Sequence, residues 1–74
     1  MFNKSGLKKA IKASEREIET LEKKRTRSLS ALMEAQITNK PPKAADLEYF
    51  KIYSNLIELE RQNLRQLKSK LEKA

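Results

Sequence analysis

The sequence predicts an all-α fold, a two-helix antiparallel hairpin forming a single domain over residues 1–74. Charged residues make up 36% of the chain and aromatic residues only 5%. Apolar residues recur every three or four positions in two long segments, and Pro41 and Pro42 interrupt the pattern between them. Straight-chain residues such as Leu, Glu and Lys lose little rotamer freedom in a helix. Helices joined by a short connection fold back on each other. Disorder is the alternative for so polar a chain, and the periodicity argues against it.

The first helix is predicted over about residues 5–38, with Asn3 or Ser5 as its N-cap. Ser14 and Arg25 fall on the face that is otherwise apolar and weaken it. The predicted buried face consists of Leu7, Ile11, Ile18, Leu21, Leu29, Leu32 and Met33.

A turn is predicted over about residues 39–44. Pro41 lacks a backbone N–H and pushes the preceding residue out of the α region. Asn39 is a plausible helix end, because Asn tolerates left-handed backbone angles. Asp46 is the predicted N-cap of the next helix, with a start near Pro42 as the alternative.

The second helix, predicted over about residues 45–73, carries two apolar stripes in its first half. One stripe is predicted to pack against the first helix and consists of Phe50, Tyr53 and Ile57. The neighbouring stripe has no obvious place in a hairpin, since two helices bury one face each. This stripe, together with Tyr53, predicts a partner-binding surface made of Tyr49, Ile52, Tyr53, Leu56 and Leu59.

Association is expected for a physical reason as well. A two-helix hairpin encloses no core, and a chain of this size rarely gains more than about 3–5 kcal/mol from a single core. We therefore expect oligomerisation or a partner to complete the hairpin. The added chain would be a second copy of this one or another protein. In the alternative interpretation, the second stripe only closes the turn end of the hairpin against Leu29, Leu32, Met33 and Ile37.

The order of charges predicts a register. A turn centred near residue 42 places the acidic residues of 15–22 level with the basic residues of 61–68. Such pairs set orientation and contribute about 0.2–1 kcal/mol each when exposed. In that register, most of residues 4–12 projects beyond the second helix as a basic overhang.

The formal net charge of +7 favours acidic surfaces, nucleic acid or anionic lipid. Phosphate contacts need only accessible Lys and Arg. Most aromatic residues lie away from the basic clusters, so base stacking is not indicated. Two apolar residues between the lysines of 4–12 are few for a membrane anchor. The alternative function is therefore that of a basic nucleic-acid-binding or regulatory helical dimer. The residues that could contact nucleic acid or an acidic surface are Lys8, Lys9, Lys12, Lys23, Lys24, Arg25 and Arg27.

Chemistry-bearing residues are scarce. The chain contains no Cys and no His, which rules out nucleophile–His pairs and His or Cys metal sites. Glu15, Glu19 and Glu22 share a helix face and suit a hard cation, but Arg16 and Lys23 beside them favour a solvated ion-pair face. We expect a protein that is not an enzyme and has no catalytic residue, cofactor or metal. No secretory signal and no run of roughly 18 apolar residues is present, so we expect a cytoplasmic protein.

The second helix resembles a known family over residues 46–60. The residues that carry the resemblance are Asp46, Phe50, Ile52, Tyr53, Leu59 and Glu60. In sequence and in the two-helix plan it looks like the YscE-like co-chaperones of type III secretion needle subunits. Those small hairpins join a larger repeat-type chaperone and keep the needle subunit from polymerising in the cytoplasm. The resemblance implies a chaperone-facing surface made of Tyr49, Ile52, Tyr53 and Leu56. The predicted function is a small helical interaction module: an adaptor, co-chaperone or assembly factor.

Overall fold

In the computed structural model, which describes residues 3–74, the chain forms two α-helices and no strand within that range. Helix α1 spans Lys4–Ile37 and helix α2 spans Ala44–Lys73. They pack side by side in opposite directions in a body of 54 × 15 × 14 Å. The predicted all-α antiparallel hairpin is confirmed.

Asn3 is the residue that begins α1. Its backbone is extended (φ −80°, ψ 174°), and its Oδ1 accepts a hydrogen bond from the Gly6 N–H at 2.7 Å. The cap satisfies one of the amide groups that a helix leaves without a partner in its first turn. Of the two predicted caps, the structure therefore uses Asn3, and Ser5 lies inside the helix.

Helix α1 ends in a Schellman motif. Asn39 has a left-handed φ of 57°, which Asn tolerates better than most residues. The Lys40 N–H donates to the Ala35 carbonyl at 2.8 Å, and the Asn39 N–H donates to the Gln36 carbonyl at 3.1 Å. These bonds satisfy carbonyl groups at the helix end and turn the chain towards Pro41.

Helix α2 begins at Ala44, between the two predicted starts near Pro42 and at Asp46. Lys43 is its N-cap, with extended backbone angles (φ −67°, ψ 138°), and the Asp46 N–H donates to the Lys43 carbonyl at 3.1 Å. The prediction of Asp46 as N-cap is therefore wrong. Ala44 and Ala45 extend the helix at little entropic cost, so Asp46 lies in the first turn. There its negative charge interacts favourably with the positive end of the helix dipole.

The interface between the helices is a single stripe on each, called here the seam. Its residues are buried or half-buried and alternate at spacings of three and four, which gives the 3.5-residue period of a coiled coil. On α1 the seam consists of Leu7, Ile11, Ser14, Ile18, Leu21, Arg25, Ser28 and Leu32. On α2 it consists of Asp46, Phe50, Tyr53, Ile57, Glu60, Leu64, Leu67 and Leu71.

Two residues of the predicted α1 face lie outside the seam. Leu29 and Met33 are 42% and 53% exposed, so their predicted burial is wrong. Each directly follows a seam residue, Ser28 or Leu32, and one residue is a rotation of about 100° around the helix. The 3.5-residue period, maintained over all of α1, gives the seam positions to Arg25 and Ser28 although both are polar.

The predicted basic overhang is also wrong. Leu7 is 3% exposed and packs with Ile11 and Leu67, and Leu71 lies against the same cluster. The first turns of α1 are thus covered by the last turns of α2. Burial of two large apolar side chains outweighs the solvation of this segment, and its lysines remain exposed.

One polar layer interrupts the seam. The Ser14 hydroxyl, buried at 3% exposure, donates to Glu60 Oε1 at 2.7 Å. Asn63 Nδ2 donates to the same oxygen at 3.2 Å. A hydrogen bond from a buried hydroxyl to a carboxylate needs one specific pairing of the helices, so this layer fixes the register.

The ion pairs add little stability. Among residues 3–74, one ion pair crosses between the helices, Glu22 to Arg61 at 3.6 Å, and it agrees with the predicted acidic-to-basic pairing of the two segments. Two others lie within a helix, Lys23 to Glu19 at 3.4 Å and Arg65 to Glu58 at 3.7 Å. Exposed pairs of this kind contribute about 0–1 kcal/mol each.

The seam predicts a sharp contrast between two residues of α2 that are close in sequence. Ile57 is 1% exposed and Leu59 is 61% exposed. We expect Ile57→Ala to lower the free energy of unfolding by about 2–5 kcal/mol, because it leaves a cavity. We expect Leu59→Ala to change it by about 0.5 kcal/mol or less. Urea unfolding followed by circular dichroism measures both, and equal losses would contradict the assigned seam.

The polar layer predicts non-additive mutations. Ser14→Ala should lower the free energy of unfolding by about 1 kcal/mol, since Glu60 loses a donor. Ser14→Ala combined with Glu60→Leu should raise it above the wild-type value by about 1 kcal/mol, because an apolar layer replaces a partly buried charge. Thermal unfolding of the single and double variants tests this. Simple additivity of the two substitutions would mean that the hydrogen bond does not couple the helices.

Candidate functional site

The seam divides the hairpin into two flanks. Glu22 follows the seam residue Leu21, and Arg61 follows the seam residue Glu60; their ion pair joins the two helices along the first flank. On α2, residues that directly precede a seam residue lie on the side opposite to those that directly follow one. Tyr49, which precedes Phe50, therefore lies on the opposite flank. The two flanks have different surfaces.

The opposite flank carries the second apolar stripe of α2 and is called here the apolar flank. Its members are separated by three, four and three residues, so they form one row about 15 Å long on the helix surface. Their exposed fractions range from 40% to 61%, although all are large apolar side chains. The row consists of Tyr49, Ile52, Leu56 and Leu59.

Tyr53 occupies a different place from the other predicted partner-binding residues. It lies in the seam and is half-buried. Its ring stacks on that of Tyr49, with centroids 6.1 Å apart and planes 22° from parallel. Stacked aromatic pairs contribute about 0.5–1.5 kcal/mol beyond their buried area. Tyr53 therefore holds Tyr49 in position, and Tyr49 presents the exposed ring.

The row does not close the turn end of the hairpin, so that alternative interpretation is wrong. Leu29 and Met33 lie on the first flank, since Leu29 is seven residues, or two helical turns, after Glu22. Leu32 belongs to the seam, and Ile37 is 80% exposed at the end of α1.

Helix α1 contributes two cations to the apolar flank. Lys24 precedes the seam residue Arg25, as Leu56 precedes Ile57, so both lie on the same side of the hairpin. Arg27 is three residues further along the same surface of α1. Both cationic side chains are exposed. The flank is therefore an apolar row on α2 beside a basic pair on α1.

The first flank carries a smaller apolar patch that was not predicted from the sequence. Leu47, 51% exposed, is fourteen residues before Arg61 and so lies on the side of the Glu22–Arg61 pair, near Leu29 and Met33. Counting the 3.5-residue period from Leu7 would have placed these residues outside the seam. The patch is confined to the turn end, because charged and hydroxyl side chains occupy the rest of this flank.

The other predicted basic contacts do not form one patch. Arg25 lies in the seam and is half-buried, while the remaining six residues are exposed. Lys9 and Lys23 lie on the outer face of α1, and Lys8 lies on the first flank. The sequence cluster of residues 23–27 is thus distributed around the helix.

Within residues 3–74, no three acidic, His or Cys side chains are placed so that they could bind a metal ion together. Over the same described range, neither helix has the combination of length and apolar character needed to cross a membrane. Comparisons with protein-family models, curated proteins and solved structures found no match for the chain. The resemblance of residues 46–60 to the YscE-like co-chaperones stays a prediction.

Proposed function

We propose that the chain is a non-catalytic protein-interaction module, an adaptor, co-chaperone or assembly factor, that binds its partner through the apolar flank. The observation that supports this is the row of four large apolar side chains, 40% to 61% exposed, beside a seam that is already filled. Scattered apolar residues are normal on a protein surface, but a continuous row marks an interaction site.

Burial of the row by a partner would be energetically favourable. Full burial of a large apolar side chain stabilises by about 1.5–3 kcal/mol. About half of each of the four side chains remains exposed, so covering the row would contribute on the order of 3–6 kcal/mol in total. Loss of translational and rotational freedom opposes that gain, and polar contacts at the rim add to it.

The shape of the site suits a helical partner. The positions of the row are those at which one helix contacts another along its length. On the α1 side of the row, Thr20 and Ala31 are short side chains, and Lys24 and Arg27 lie between them. Such a partner would turn the open hairpin into a closed helical bundle.

The resemblance to the YscE-like co-chaperones supports a narrower version of this proposal. In that version the chain acts in the cytoplasm with a larger repeat-type chaperone, and the pair holds a type III secretion needle subunit. Tyr49, Ile52 and Leu56 would face the chaperone, with Tyr53 supporting Tyr49 from the seam.

Nucleic-acid binding is the second candidate function. One observation favours it: Lys9, Arg16 and Lys23 are exposed at intervals of seven residues, so they line the outer face of α1. Phosphate binding through this row would weaken steeply with added salt, whereas an apolar contact would persist.

The proposal predicts that two substitutions on the apolar flank abolish association without unfolding the hairpin. Ile52→Asp with Leu56→Asp places two carboxylates in a contact that must lose its water, while both positions remain partly solvated in the free chain. The matched control is Asn55→Asp with Gln62→Asp, on the exposed outer face of the same helix. Both double variants should keep the helical circular dichroism of the wild type.

Association is measured with a photo-crosslinking amino acid in place of Leu59, in cells that produce the chain. We expect a discrete adduct with the parent chain and with the control variant, and none with the flank variant. The mass of the adduct separates a second copy from another protein. An adduct that the flank variant retains, or no adduct in the parent chain, would contradict the proposal.

A further inference from the structure

We infer that the partner on the apolar flank is an amphipathic α-helix of another protein, with acidic side chains along one edge of its apolar face. The inference rests on the proposed function and adds the chemistry of the partner. It follows from the basic pair, Lys24 and Arg27, that lies beside the apolar row.

The basic pair lacks an acidic partner one helical turn away on its own helix. The positions three and four residues away from Lys24 and Arg27 hold no Asp or Glu. Lys23, by contrast, has Glu19 four residues before it and pairs with it at 3.4 Å. In the part of the chain that the structure describes, the ion pairs formed by cations involve Lys23, Arg61 and Arg65.

The two cations also repel each other. Like charges one helical turn apart destabilise a helix. Glu17 and Glu34, the acids of α1 on this flank, each lie seven residues from a member of the pair, which is about 10 Å along the axis. That distance is about one Debye length at 0.1 M salt, so these acids neutralise the pair weakly. An external carboxylate would remove the repulsion.

The geometry places both kinds of contact within reach of one helix. The apolar row lies on α2 and the basic pair lies on α1, on the same side of the seam. A helix lying between them would contact the row with its apolar face and the basic pair with one edge. Acidic residues at that edge would complement the charge and set the orientation of the partner.

A second copy of the chain fits this site less well. Each copy carries a net charge of +7. Two copies packed flank to flank would bring two basic pairs to one interface, and like charges brought together oppose association. The site is complementary to an acidic partner and not to itself.

The test uses two synthetic peptides, each an amphipathic helix of about four heptads with the same Leu and Ile face. One peptide has Glu at the edge positions and the other has Lys. Fluorescence anisotropy measures their binding to the full chain at low and high salt. We expect the Glu peptide to bind at least about tenfold more tightly than the Lys peptide at low salt, with a smaller difference at high salt.

Matched variants assign the preference to the basic pair. Lys24→Glu with Arg27→Glu should reverse the order of the two peptides. The control, Lys9→Glu with Arg16→Glu, makes the same charge change on the outer face of α1 and should preserve the order. Ile52→Asp with Leu56→Asp should abolish binding of both peptides.

The outcomes separate the inference from the proposed function. Equal binding of both peptides, or binding of neither, would overturn the acidic-helix inference, and the crosslinking result would still decide the proposed function. A preference for Glu that survives in the Lys24 and Arg27 variant would overturn the inference too. Binding of the Glu peptide that survives Ile52→Asp with Leu56→Asp would count against both. A dimer whose formation requires the apolar flank, seen by light scattering, would show that a second copy is the occupant.

Discussion

Each helix of a two-helix hairpin can bury one stripe of side chains, and the rest of this molecule is arranged around that constraint. The stripes that are buried follow a 3.5-residue period, even where the period selects Ser14, Arg25 or Glu60. Large apolar residues out of phase with it stay exposed. The seam therefore determines which residues stabilise the hairpin and which are left for another contact.

Much of the fold follows from the sequence. The pair Pro41 and Pro42 marks the turn, and two periodic segments on either side of it give the hairpin. The register was harder to predict, because exposed charges specify it weakly, whereas the Ser14–Glu60 hydrogen bond and the burial of Leu7 against Leu67 specify it strongly. The polar partners of that bond are 46 residues apart in the chain, so no local pattern signals their contact.

The candidate site was predictable in part. The surplus of apolar residues in 47–59 exceeds what one neighbouring helix can cover, which already indicated a second contact. One residue of rotation around the helix separates a position in the seam from one on the apolar flank. The places of Tyr53 and Lys24 therefore become clear only once the seam residues are assigned. The basic cluster of residues 23–27 shows the same effect. Adjacent cations in the sequence face the seam, the apolar flank and the outer surface, so only some of them can act together.

The most direct test of this account is the reactivity of single cysteines, which the absence of native Cys makes simple. Leu56→Cys and Ile57→Cys place a thiol at adjacent positions, one on the apolar flank and one in the seam. In the purified chain, we expect the thiol at position 56 to react with a maleimide almost as fast as in an unstructured peptide. The thiol at position 57 should react at least about tenfold more slowly, because it becomes accessible only when the helices separate. Equal rates at the two positions, or slower reaction at position 56, would show that the seam does not leave the apolar row of α2 open to a partner.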